Sequence, residues 1–190
     1  MEVREADYTR PDTLNKALAG IDTLMMISGS EISQRVAQHC NVIDAAKQAG
    51  VRRMVHTSLL HAERSTLGLA PEHVETEALL HASGLSVTLL RNGWYTENYT
   101  ASVGPAVANG VLIGSAGQGK IASAARADYA DAAVALIAAG VPTPWPQALP
   151  ALAVEAAKGA LFDDGHVLAK LIGRSTTSLK ESVAAALRQV

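Results

Sequence analysis

Thr23-Leu24-Met25-Met26-Ile27-Ser28-Gly29-Ser30-Glu31 is an unbroken apolar run that ends in a small, polar loop. A continuous run suits a strand covered on both faces, as in a parallel sheet. The reading extends outward from it. Upstream, Thr9 and Asp12 have capping-box spacing and Pro11 suits a first helical turn, so a short helix is predicted to Leu18, stopping at Gly20. Downstream, Val36, Cys40, Ile43 and Ala46 to Ala49 recur at helical spacing, with Gly50 in the position that follows a helix. Arg53-Met54-Val55-His56-Thr57 reads as the next strand. Val74, Ala78, Leu79 and Ala82 mark another helix closed by Gly84, and Val87 to Leu90 is a third strand. Strand, helix, strand, helix, strand with short links makes each helix a right-handed crossover. The fold class is therefore α/β: a Rossmann-like parallel sheet, incomplete, with helices on both faces and a small α-rich C-terminal region.

Composition narrows the function. At 190 residues, 48% hydrophobic and 18% charged, the chain is able to bury a core and carries no signature of disorder. A net charge of -2 argues against general nucleic-acid binding, which leaves a basic footprint. No run is long and apolar enough for a membrane span, and Met1 to Glu5 is no signal peptide. Cys40, the one cysteine, excludes an internal disulfide framework. A cytoplasmic protein is expected.

Beyond Gly93 the character changes. Val111 to Gly114 and Ile121 to Ser123 are short strand candidates around a turn, Gly114-Ser-Ala-Gly117-Gln-Gly119. Asp128 is expected to cap a helix to Ala139. Val141-Pro-Thr-Pro-Trp-Pro146 is a breaker-rich link, Val154 to Lys158 a short helix, and Asp163-Asp164-Gly165 a turn. Val167 to Ile172 is a helix ended by Gly173, and Ser178 with Glu181 forms a capping box for the last one. Two regions follow: residues 1–113 as a partial nucleotide-binding domain and 114–190 as a substrate-side region packed on it.

In an open parallel sheet, ligands lie just outside the carboxyl ends of the strands. Three stretches occupy such positions. Ser28, Gly29, Ser30 and Glu31 follow the first strand, where small residues admit a ligand and hydroxyls can bond it. Thr57 and Ser58 follow the second. Asn92, Gly93, Trp94, Tyr95, Thr96, Glu97 and Asn98 follow the third and could hold a flat aromatic ligand, notable when aromatics are only 4% of the chain. Each also reads as an ordinary loop. His73 and Glu77, four apart on one helix face, hold the place of a short-chain dehydrogenase acid pair. His73 is the weak catalytic candidate, since imidazole can serve as an acid, but a solvent-exposed pair is the commoner outcome. No G-x-G-x-x-G turn opens the sheet, and Gly114 to Gly119 suits a hairpin better than a phosphate cradle. The remaining histidines show no zinc spacing, so no metal is expected. Lys120 is an ordinary turn lysine or the partner of an anionic group.

Several of these segments together resemble the NmrA-like atypical short-chain dehydrogenases, and within them the bacterial type-2 NAD(P)H:quinone oxidoreductases. The carrying stretches are Arg4 to Tyr8, Asn41 to Gly50, His56-Thr-Ser-Leu-Leu-His61, Gly68-Leu-Ala-Pro-Glu-His-Val-Glu-Thr-Glu77, Leu89-Leu-Arg-Asn-Gly-Trp-Tyr-Thr-Glu-Asn98, Gly119 to Tyr129 and Lys170 to Ser178. The resemblance implies an NAD(P)H dehydrogenase (quinone) that passes hydride from NADPH (or NADH) to a small-molecule quinone. It places the Ser28–Glu31 loop along the cofactor, Gly93 to Asn98 near the nicotinamide, and Tyr95 and Lys120 on the quinone side. Against the family pattern, the chain begins at the approach to the third strand, beyond the Gly-rich turn, and is shorter between Gly140 and Gly159. Impaired hold on the diphosphate is expected. A non-catalytic, nucleotide-sensing or partner-binding module and a homo-oligomer remain open at this point.

Overall fold

The computed structural model describes residues 2–111, 119–139 and 165–188. They fall into two compact units, one ending at Arg91 and one starting at Asn92.

The first unit is the sheet. In chain order it holds α1 (Pro11–Ala17), β1 (Thr23–Met26), α2 (Arg35–Gln48), β2 (Arg53–Leu59), a 3-10 turn (Ala62–Arg64), α3 (Ala70–Ala82) and β3 (Ser86–Asn92), whose last residue opens the second unit. The strand order is β1-β2-β3. β1 and β2 are parallel, with Thr23 opposite Arg53 and Met26 opposite His56. The core joins Leu14 of α1, Met26 of β1, Ile43 and Ala46 of α2, Met54 of β2 and Leu80 of α3, all nearly inaccessible. Burying each larger apolar side chain contributes about 1.5–3 kcal/mol, so this layer between strands and helices holds the unit together. Gly20 and Gly50 follow α1 and α2 at φ near +73° and +74°, where a side chain would be strained.

Three local expectations change. Thr9 and Asp12 make no capping box: Thr9 turns back to the Asp7 carboxylate through both its amide and its hydroxyl, and Arg10 takes the cap position without a side-chain bond. Asp7 wins because its carboxylate lies two residues away and satisfies two donors at once. β2 runs two residues further than Thr57. On α3, Val74, Ala78 and Ala82 face solvent, while the buried face carries Ala70, His73, Thr76, Glu77 and Leu80. On that face Thr76 and Glu77 find partners on other elements, which offsets the cost of burying them, while His73 Nδ1 has none among the described residues.

The second unit is assembled from short pieces: β4 (Trp94–Tyr95), α4 (Glu97–Thr100), α5 (Val103–Asn109), β5 (Ser123–Ala124), α6 (Arg126–Ala138), α7 (Val167–Ile172) and α8 (Leu179–Leu187). β4 and β5 form a two-stranded parallel pair. α7 has the predicted bounds, with Gly173 after it at φ +67°. The Ser178–Glu181 capping box at α8 is complete in both directions. Asp128 does not cap α6. It is wholly buried in the first turn and accepts from the Thr177 amide (2.7 Å) and from Arg174 (2.7 Å). The cap role falls to Glu97, whose two oxygens accept the Arg126 amide at 3.0 and 3.1 Å. The 112–118 part of the glycine-rich turn and the segments expected between Gly140 and Asp164 lie outside the described residues.

Candidate functional site

The loop after β1 is held by buried side chains rather than by its own turns. The Ser28 amide donates to Thr57 Oγ1 at 2.8 Å, so Thr57 at the end of β2 fastens the loop start. Gly29 is gripped through the peptide groups on both sides of it. Gly29 N–H donates to His39 Nε2 at 3.0 Å, and Gly29 C=O accepts from Arg35 Nε at 2.7 Å. A Cβ on Gly29 would lie 3.0 Å from Gln38 Oε1, so a side chain there requires the Gln38 amide to shift. Further along, Gln38 donates to Glu31 at 3.0 Å, and the Ser33 amide, at φ 72°, donates to Glu72 Oε1 at 2.5 Å. Arg35 completes the ring by an ion pair with Glu72. Arg35, Gln38 and His39 are all buried, although two of them carry a charge or an amide. Ser28 Oγ is buried and, among the described residues, has no partner of its own.

Beneath the loop lie three histidines. His39 Nδ1 meets Thr76 Oγ1 at 2.9 Å, and its ring stands edge-on to His56 with centroids 5.2 Å apart. His56 Nδ1 meets the Met26 carbonyl at 3.2 Å, while His56 Nε2 and His73 Nδ1 have no partner among the described residues. Burial holds all three below the usual imidazole range, His39 at about 4 and His56 at about 3. They are neutral at physiological pH. No group of three His, Cys, Asp or Glu side chains among the described residues is arranged to hold a metal ion.

The His73–Glu77 pair is not solvent-exposed. Both residues are buried, and Glu77 is engaged elsewhere. Ser58 donates to Glu77 Oε1 at 2.5 Å, and Arg91 closes on both oxygens at 3.0 and 2.6 Å. Arg91 also reaches Glu63 at 3.3 Å. A bidentate guanidinium is the strong form of such a pair. Glu77 here is a charged strut joining α3, β2 and β3, and Ser58 is part of that strut.

In the second unit the Asn92–Asn98 stretch is more open. Asn92 Nδ2 donates to Tyr95 Oη at 3.1 Å, and the Gly93 amide donates to Tyr129 Oη at 3.1 Å. The Tyr95 and Tyr129 rings meet edge-on at 5.3 Å, and the Arg126 guanidinium carbon stands 5.2 Å from the Tyr95 ring centre. Trp94 is half-buried, with no partner for its indole N–H among the described residues. Thr96 is buried and donates to Ser123 Oγ at 3.1 Å. Glu97, Asn98, Thr100 and Arg126 line an open groove of about 520 Å³ with Ala101 and Ala186. Lys120 is exposed.

Sequence reasoning missed Arg35, His39, Glu72 and Thr76. One signal was present. Arg35 and His39 are four apart on α2, Glu72 and Thr76 four apart on α3, and such pairs share a helix face. Two polar faces at the same spacing on consecutive crossover helices point to a buried polar seam.

With this geometry in place, likeness to known proteins becomes informative. The family described as NAD(P)H-binding matches residues 1–140. The chain is 45% identical to quinone oxidoreductase 2 of Escherichia coli over 95% of its own length and 81% of that protein's. The crystal structure of an NADPH-dependent quinone oxidoreductase from E. coli, complexed with NADPH, superposes with a TM-score of 0.80 at 43% identity, covering 98% of this chain and 84% of the other. A triphenylmethane reductase from Citrobacter sp. complexed with NADP(H) gives 0.79 at 29% identity, again over 98% and 84%. The chain therefore belongs to the NmrA-like NAD(P)H-binding family, together with quinone oxidoreductase 2.

Proposed function

We propose that this chain is an NADPH:quinone oxidoreductase. The observation that carries the reading is its 45% identity with quinone oxidoreductase 2 along nearly the whole chain. When bound, NADPH supplies a hydride, and with one proton from solvent a quinone leaves as its hydroquinone.

The residues present fit such a cofactor. Ser28 Oγ is a buried donor without a partner among the described residues, at the end of a parallel strand where ligands of this architecture lie. Ser28, Gly29, Ser30 and Glu31 are the residues that would hold the cofactor in the first unit. Thr57 supports them through the Ser28 amide, and Ser58, bonded to Glu77, is the further strand-end residue assigned to the cofactor. In the second unit, Asn92 to Asn98 supply the aromatic surface, with Tyr95 oriented by Asn92, Tyr129 and Arg126 and assigned to the quinone. Lys120, which is exposed, is assigned to the quinone side as well. Hydride transfer depends mainly on stacking and distance, so the reaction needs no Tyr–Lys acid pair. His73, buried and neutral, has no assigned proton to deliver. No helix among the described residues is long and apolar enough to cross a membrane. The lone free Cys40 agrees with a cytoplasmic setting.

The test is NADPH oxidation by the purified chain with a panel of benzo- and naphthoquinones, followed with NADH in parallel. Quinone-dependent oxidation with preference for NADPH supports the reading. NADPH that binds but is not oxidised with any quinone would favour a non-catalytic nucleotide-binding module.

A further inference from the structure

We propose that His39 is a positioning residue: held in one neutral tautomer, it sets the Gly29 peptide of the cofactor-facing loop, and its protonation releases that loop. The functional half rests on the cofactor reading above. The structural half stands on hydrogen-bond geometry alone.

The tautomer follows from the donors around the ring. A backbone N–H can only donate, so His39 Nε2, 3.0 Å from Gly29 N, must carry no proton. In a neutral ring the proton then sits on Nδ1 and points at Thr76 Oγ1, 2.9 Å away. Thr76 can accept it because its own hydroxyl proton goes to the Glu72 carbonyl at 2.8 Å. Each hydrogen in the relay has one place to be. An imidazolium has two donors and no acceptor, so protonation would set Nε2–H against Gly29 N–H. Arg35 would still hold the Gly29 carbonyl, so only the peptide group after Gly29 would stay anchored.

The surroundings favour the neutral ring. Arg35 on the same helix, His73 from α3 and His56 from β2 oppose a positive charge, and only Glu72 from α3 favours one. The Tyr8 ring closes another side at 6.3 Å and offers no charge. His39 has no solvent exposure. An imidazole that merely filled the core would not need its acceptor nitrogen aimed at the amide of a loop residue whose Cβ would crowd Gln38.

The decisive experiment is ¹⁵N-resolved NMR of the full chain from neutral to acid pH, with NADPH titrations of the wild type, His39→Gln and His39→Leu. The expected wild type has Nε2 bare and Nδ1 protonated at neutral pH. Its Gly29 amide exchanges slowly and shifts together with His39 on acidification. Glutamine can accept from Gly29 and donate to Thr76, so His39→Gln keeps the Gly29 amide protected, loses the acid transition, and binds NADPH within about threefold of wild type. His39→Leu strands the amide and binds about tenfold more weakly or worse. A proton on Nε2 at neutral pH, a freely exchanging Gly29 amide, or a His39→Leu variant that binds like wild type overturns the inference. If His39→Leu does not fold, the wild-type acid series and His39→Gln still decide it. A wild type that couples Gly29 to His39 yet never binds NADPH confirms the clamp and instead overturns the proposed cofactor.

Discussion

The loop after β1 and the aromatic stretch after β3 occupy equivalent places at strand ends, yet they are built differently. Around Ser28 and Gly29, two successive amides and one carbonyl are each taken by a side chain from a neighbouring strand or helix, and most of those side chains are buried. Around Tyr95 the bonds come from Asn92 three residues earlier and from α6 residues, and the rings stay half-exposed. The first arrangement fixes backbone in advance and leaves little to adjust when a ligand arrives. The second presents aromatic faces that shift at low cost. A pyridine dinucleotide is one invariant shape, whereas quinones vary in ring number and substituents. A rigid loop for the first and an adaptable surface for the second match those demands.

The largest expected effect lies at the Glu77 strut of the first unit. Arg91→Ala leaves the buried Glu77 carboxylate without its bidentate partner. Removing one member of a buried pair costs about 3–5 kcal/mol, and the exposure of Arg91 places this case near the lower end. A large drop in Tm, read by calorimetry, is the expected result. A Tm close to wild type would mean that solvent already screens the strut.

Acid should sharpen the same difference. His39 and His56 are neutral in the fold, with their ionisation held down to about 4 and about 3. In the unfolded chain both would take up a proton nearer 6.5. The unfolded state therefore binds more protons between those values, and stability rises with pH across that window. It is fully present above about 6.5. It is lost progressively as pH falls, through about 4 for His39 and about 3 for His56. Denaturant midpoints measured across this range should fall in acid, with part of the fall removed in His39→Gln. A midpoint that is flat through the window would contradict the buried neutral cluster.

The smallest effect belongs to the open region. Tyr95→Phe removes one hydrogen bond from a half-buried ring, about 1 kcal/mol or less. Stability should barely change, while the KM for quinone rises more than the KM for NADPH. Equal rises in both would remove the separate assignment of Tyr95 to the quinone.

The legible and the illegible parts of the chain differ for a physical reason. Thr23 to Met26 was readable as a strand from its unbroken apolar run, although β1 is only partly buried, with Met26 alone inaccessible, rather than covered on both faces. The ends of α1, α2 and α7 were readable because glycine marks a left-handed residue after a helix. The inward face of α3 was not, because three of its buried residues are His73, Thr76 and Glu77, and the partners of Thr76 and Glu77 lie on other elements. Asp128 misled for the same reason: a carboxylate near a helix start reads as a cap, while its partners, Arg174 and Thr177, are more than forty residues away. Of the site, strand-end positions pointed to Ser28–Glu31, Thr57 and Tyr95, but not to the side chains that hold them. Burial of a polar residue depends on a partner that local pattern does not reveal.

The most direct measurement is a titration of NADPH into the purified chain, followed by the emission of the dihydronicotinamide, with Gly29→Ala beside the wild type. Saturable micromolar binding by the wild type, weakened in the variant because a Cβ meets Gln38, is the expected result. Absence of saturable binding by a cooperatively folded wild type would contradict the central claim that the loop after β1 faces the cofactor.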